Sequence, residues 1–252
     1  DPFHLEAYGV TTVNYNRDIE IYPVLAAMFE GIYGHCPYQS PTDMGVNMAG
    51  NCIVDDEVCQ EASNQEIIRR YYQSLNRHKK DKATKEEVYK QELILKQAKI
   101  TPNDRPVVPV ANKLAAKNGA PAAALELPDG TIVTGKTTSL LGASSAVLLN
   151  AVKVLGGIDD SIHLISPNFI EPIQELKTEY LGSKNPRLHT DEVLIALSMC
   201  AATDQNAKLA LEQLPKLAGC ELHASVILSS VDMNTFKKLG IRVTNEAVYE
   251  NQ

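Results

Sequence analysis

Apolar residues recur at helical spacing through "RDIEIYPVLAAMFEGIY", residues 17–33, which predicts a helix with Pro23 early enough for its first turn. The period then stops. "GHCPYQSPTDMGVNMAGN", residues 34–51, is rich in Gly, Pro, Ser, Thr, Asp and Asn and reads as a long polar loop of the kind that often carries function. Periodicity returns behind Ser63, where Glu66 three residues on suggests a capping box, and runs through "NQEIIRRYYQSLNRHKK". A second such run, "TKEEVYKQELILKQAKI", opens with Thr84 and Glu87 in the same relation, so the two predict a helical hairpin. The basic run "NRHKKDK" between them reads as a solvated turn rather than a nucleic-acid patch.

Past Pro102 the texture changes. "RPVVPVANKLAAKNG" predicts a short helix ended at Asn118-Gly119. "AAALEL", "TIVTG", "SIHLIS", "LHASVILSS" and "IRVT" are strand-like, and helical segments alternate with them. That alternation predicts an α/β class: a layered α/β domain with a mixed sheet, residues 102–252, preceded by a mostly helical segment, residues 1–101.

Composition narrows the function. The 252 residues carry 24 Lys+Arg against 31 Asp+Glu, a net charge of −7, which argues against a broad electrostatic grip on nucleic acid or anionic lipid. No apolar run approaches the roughly 20 residues needed to cross a bilayer, so no membrane partner is expected. Five cysteines without a C-x-x-C pair suit reduced thiols in the cytoplasm, and the histidines show no metal-ligand spacing. The chain opens at Asp1 without a Met and reads as a piece of something longer.

"GTIVTGKT", residues 130–137, matches the phosphate-loop pattern G-x-x-x-x-G-K-[ST] letter for letter. Its four central residues are β-branched, and Pro128-Asp129-Gly130 reads as a turn joining two strands, so the match is expected to be a hairpin. Just beyond it, Gly142, Ala143, Ser144 and Ser145 open a helix whose free N–H groups could hold an anion, with Ser144 among the contacts; small residues there equally allow close helix–sheet packing.

Richer chemistry lies in "LGSKNPRLHTDEVLIAL", residues 181–197. Lys184, Asn185 and Arg187 precede a helix capped by Thr190 and suit a phosphate or carboxylate, while His189 suits general acid–base work. In the front segment, Ser40, Thr42, Asp43 and Asn47 fall in the polar loop, and Asn14 and Arg17 at a helix start; each also has a plain structural reading as a cap or loop bridge. The adjacent His35 and Cys36 read as structural.

Together, "DPFHLEAYGVTTVNYNRDIEIYPVL", "SPTDMGVNMAG", "SNQEIIRRYYQ", "ELPDGTIVTGK" and "LGSKNPRLHTDEVLIALS" resemble the C-terminal part of the bacterial family UPF0371, or DUF1846, over residues 1 to about 243. The resemblance implies a Rossmann-like N-terminal half with a "GPGSGK"-type stretch as a partner to this piece, and it brings no assigned catalytic residues and no known cofactor. The order of hairpin and helix is also similar to that of deaminase-like folds, without their zinc ligands. The combined expectation is a cytoplasmic enzyme fragment in which the front loops and the 184–189 turn converge on a small anionic, phosphorylated or nucleotide-like metabolite. Arg187 would clamp the anion, His189 act as acid/base and Asp43 orient or activate. The rival is a homo-oligomeric assembly domain whose hairpin, residues 63–100, makes subunit contacts through Ile68, Tyr72 and Leu93.

Overall fold

The computed structural model describes residues 15–48 and 56–250. The chain forms two compact units, Asp1–Arg105 and Pro106–Gln252.

The first unit is helical: α1 (Tyr15–Tyr33), α2 (Pro41–Met48), α3 (Asp56–Lys79) and α4 (Lys85–Gln97). Two expectations are corrected here. The stretch read as a long polar loop holds α2, because Ser40 receives the Asp43 N–H on its hydroxyl at 3.0 Å and so starts a helix. Ser63 is no cap either: α3 begins at Asp56, and the Ser63 hydroxyl donates back to the Cys59 carbonyl at 2.9 Å, the bond a serine inside a helix makes. Glu66 meanwhile pairs with Arg69 and Arg70 on the same helix. The Thr84 box is present, with Glu87 N–H on Thr84 Oγ1 at 3.3 Å and the Glu87 carboxylate answering the Thr84 N–H. α3 and α4 form the expected hairpin around Ile67, Ile68 and Leu95.

The second unit is an α/β layered structure. Its elements are α5 (Val107–Asn118), β1 (Ala122–Glu126), β2 (Ile132–Lys136), α6 (Ala143–Leu155), α7 (Pro167–Glu175), α8 (Thr190–Cys200), α9 (Gln205–Leu211), β3 (Glu221–Ala224), α10 (Ser230–Lys238) and β4 (Arg242–Asn245). The four strands make one mixed sheet in the order β2-β1-β3-β4, with β1 antiparallel to β2 and β3, and β3 parallel to β4. Side chains alternate across the pleat. Ala123 and Leu125 face the large core with Val147, Leu148 and Ala151 of α6, whereas Ala124 faces Val107 and Ala111 of α5. The sheet is therefore covered on both faces, which is why the first four residues of β1, Ala122–Leu125, form an unbroken apolar run.

"SIHLIS" forms no strand. Leu164 and Ile165 are buried in the core, but Asp159 turns the chain through its bonds to Ser161, and Ser166 already caps α7, so the segment is a link. "LHASVILSS" is a strand only through Ala224, because Ser229 caps α10.

The phosphate-loop match is a hairpin. Ala122 pairs with Lys136 and Glu126 with Ile132, and Gly130 takes the turn at φ +82°. Gly135 has another reason to lack a side chain: a Cβ there would sit 2.2 Å from the Val147 nitrogen, so it is where the α6 backbone crosses β2. No helix among the described residues is long and apolar enough to cross a membrane.

Candidate functional site

Three helices begin beside one another in the second unit. Leu188, 1% exposed, anchors the segment before α8: it bridges in parallel to Leu141, donates its N–H to the Leu140 carbonyl at 3.0 Å, and accepts the Ser145 hydroxyl on its own carbonyl at 2.8 Å. The start of α6 is thereby stitched to the residue preceding His189. Asp232, in the first turn of α10, completes the junction. Its Oδ1 accepts the Thr190 N–H at 2.9 Å and the Thr190 hydroxyl at 3.0 Å, and its Oδ2 accepts the Ser229 hydroxyl at 2.8 Å.

His189 stands at the N-cap of α8 with Nδ1 3.2 Å from Asp232 Oδ2. A carboxylate partner assigns the proton to Nδ1 and leaves Nε2 as the working atom. That Nε2 has no hydrogen-bond partner among the described residues, and the side chain is 31% exposed. The Asp232 hydrogen bond raises the His189 pKa above its ordinary value, outweighing partial burial. Burial pushes the Asp232 carboxyl up, yet bonds from His189, Thr190 and Ser229 together hold it below the usual range. Ser229 Oγ lies 3.5 Å from the same Nδ1 rather than from Nε2, so the trio is an oriented histidine and not a serine nucleophile triad.

A second layer fixes the His189 backbone. Glu192 accepts its N–H at 2.7 Å and is gripped in turn by Lys177 Nζ at 2.7 Å, which also reaches the Arg187 carbonyl. Lys177 is buried, and it is carried there by a single π-helical turn, Leu176–Tyr180, at the end of α7. Such turns are rare, and frequent at functional sites.

The start of α6 is the complementary half. Gly142 caps it without a side chain, and the N–H groups of Ala143, Ser144 and Ser145 meet no acceptor among the described residues. Ser144 is 4% exposed, and its hydroxyl has no hydrogen bond among those residues. It lies 3.7 Å from where a Cβ on Gly142 would stand, curled back toward the helix start.

The other predicted residues take these places. Asn185 accepts the Arg187 N–H on its own side chain, which shapes the 183–187 turn. Arg187 is matched by Glu250, so its guanidinium is engaged. Lys184 is exposed and makes no ion pair among the described residues. In the first unit, Ser40, Thr42 and Asp43 are buried and serve α2: Asp43 Oδ2 accepts the Gln39 N–H at 2.7 Å, and Thr42 meets the Ser63 hydroxyl at 3.1 Å. Arg17 is exposed on α1. Asn14 and the side chain of Asn47 lie outside the described residues. Among those described, no group of three or more His, Cys, Asp or Glu side chains is placed to hold a metal ion.

Sequence reasoning missed Asp232, Ser229, Glu192 and Lys177. "SSVD" before α10 is a legible cap signal, but its junction with a histidine 43 residues away is tertiary.

These features define an α/β protein with an aspartate-oriented histidine at a meeting of helix N-termini. The chain belongs to the DUF1846 family: residues 103–252 match "Domain of unknown function DUF1846, C-terminal" and residues 1–99 match "Domain of unknown function DUF1846, N-terminal". It thus carries sequence that matches both family domains. It is 54% identical over 249 residues to a UPF0371 protein of Corynebacterium urealyticum, covering 99% of this chain and 50% of that protein. With a UPF0371 protein of Corynebacterium aurimucosum the identity is 55% over 249 residues, at the same coverage. With one of Streptococcus pyogenes serotype M5 it is 52% over 251 residues, 100% of this chain and 51% of that protein. The chain spans about half the length of the curated relatives it matches.

Proposed function

We propose that the protein is a cytoplasmic enzyme acting on a small phosphorylated or nucleotide-like metabolite, with His189 as its general acid/base. What supports this reading is one juxtaposition among the described residues: an Nε2 without a partner on a histidine held by Asp232, next to an α6 start with no side-chain cap, whose Ser144 hydroxyl makes no hydrogen bond. An anionic group would sit on the N–H groups of Ala143–Ser145 and the Ser144 hydroxyl, where the helix dipole favours negative charge. Nε2 would then accept a proton from an attacking hydroxyl or water, or return one to a leaving group, while Asp232 stabilises the charged ring. Lys184 is a nearby candidate to help draw the anion in, whereas Arg187 would first have to leave Glu250. The remainder of the substrate would be shared with sequence that the longer relatives carry.

The test is a metabolite-library turnover screen on the protein and on His189→Gln. We expect a phosphorylated compound to be consumed, with the variant folded and at least about 100-fold slower, the typical contribution of acid–base catalysis. Equal turnover by the variant would remove His189 from the chemistry.

One observation favours a second reading, assembly. Val24, Met28 and Ile32 form an exposed apolar stripe on α1 at four-residue spacing, 58%, 54% and 66% exposed. The hairpin face first expected to carry subunit contacts is not available for them, because Ile68 and Tyr72 are buried and only Leu93 is partly exposed. Under this reading Met28→Glu dissociates an oligomer in analytical ultracentrifugation and His189→Gln changes nothing.

A further inference from the structure

The first unit contains a cleft of about 330 Å³ between α1, α3 and the end of α4, roofed by the turn that leads into α2. Its size is at the small end of the range for ligand pockets, about 300–1,000 Å³, which admits one ring system with a sugar rather than a dinucleotide. The floor is apolar: Ile19, Ile67 and Ile94 are all buried, and Ala26 opens the α1 side. Tyr22 adds an aromatic ring to the wall. Its hydroxyl donates to the Tyr38 carbonyl at 3.0 Å and stays protonated, its pKa pushed up to about 12 chiefly by burial.

Above that floor stand the carboxamides of Gln39, Gln60, Asn64 and Gln97, beside the Ser40 hydroxyl and the Cys36 thiol. Gln60 and Asn64 stand one turn apart on α3 and so share a face. The Gln60 amide is steered by its bond to the Gln39 carbonyl at 3.2 Å, and the half-buried Asn64 amide has no hydrogen bond among the described residues. A carboxamide offers a donor and an acceptor side by side, the pattern that reads the edge of a nucleobase. Among the described residues that line the cleft, the charged ones are Glu30 and Lys99, of opposite sign, so the wall selects for no net charge.

From this we infer that the cleft binds a neutral, flat heterocycle of nucleobase or nucleoside type, its ring on the isoleucine floor and its edge on Asn64 and Gln60. The site lies wholly in the first unit and does not depend on the chemistry assigned to His189.

The test titrates adenosine, guanosine, cytidine and uridine separately into the isotope-labelled full chain, followed by NMR. At least one nucleoside is expected to shift the Asn64 and Gln60 side-chain amide signals saturably. Ala26→Phe, which fills the cleft, should abolish those shifts, and Asn64→Leu should weaken binding about tenfold or more. His189→Gln should leave binding unchanged, which separates failure of this inference from failure of the proposed reaction. No saturable shift with any of the four, or binding untouched by Ala26→Phe in a folded variant, would overturn it.

Discussion

At the residue scale, His189 and Asp232 form the central pair, and their pKa values move apart through one shared bond. A histidine whose pKa is raised by folding contributes stability that is fully present below its unfolded value near 6.5 and is lost as pH rises through the folded value. A carboxyl whose pKa is lowered contributes stability present above its unfolded value near 3.8 and lost as pH falls through the folded value. The pair therefore stabilises most between those limits. Asp232→Asn should bring the His189 titration, read from its ring proton NMR signals, down toward the ordinary value. It should also cost more stability below the unfolded histidine value than at a pH above the folded value, where the ring has lost its charge. An unchanged titration would mean that Asp232 does not hold the ring. Gly135 gives a second residue-scale prediction. Because a Cβ there meets backbone rather than a movable side chain, Gly135→Ala should destabilise by about 2–3 kcal/mol in chemical denaturation. Both positions show what a sequence can carry. His189 was legible as chemistry and Gly135 as a strand glycine, but the partner of the first and the helix over the second come from 43 and 12 residues away.

Among elements, those with local causes were the readable ones. Thr84 and Glu87 announce α4, and Thr84→Ala should cost about 1 kcal/mol, measured by thermal or urea unfolding. Gly119, at φ +62°, ends α5 where the Asn-Gly pair said it would. The errors fall where local and tertiary signals compete. Ser63 carries a cap's spelling inside a helix that starts seven residues earlier, and α2 hides in a polar stretch because Ser40 and Asp43 satisfy its first turn. "SIHLIS" has strand composition, yet its apolar residues fill the core from a link between turn and cap. The π-helical turn at Leu176–Tyr180 has no sequence signature of its own, and its product is the buried Lys177. Lys177→Met should leave Glu192 without its cation and cost about 2 kcal/mol. By loosening the His189 backbone it should also slow any reaction that depends on that ring.

Over the whole molecule, alternating segments in the second half predicted an α/β sheet, and the mixed order β2-β1-β3-β4 follows from a hairpin joined to a strand–helix–strand unit. The interior strands β1 and β3 should accordingly show the slowest amide exchange of the second unit, with β2 and β4 faster at its edges. The net charge of −7 leaves the proposed anion site to helix dipoles and hydroxyls rather than to a field of cations. That site is the centre of the account, and one measurement addresses it directly. Inorganic phosphate is titrated into the isotope-labelled chain, and the amides of Ala143, Ser144 and Ser145 are followed together with the His189 ring. Saturable shifts are expected in all four, lost in Ser144→Val, with the rest of the spectrum still. Phosphate that leaves these signals unmoved, or moves them no more than exposed lysines elsewhere, would contradict it.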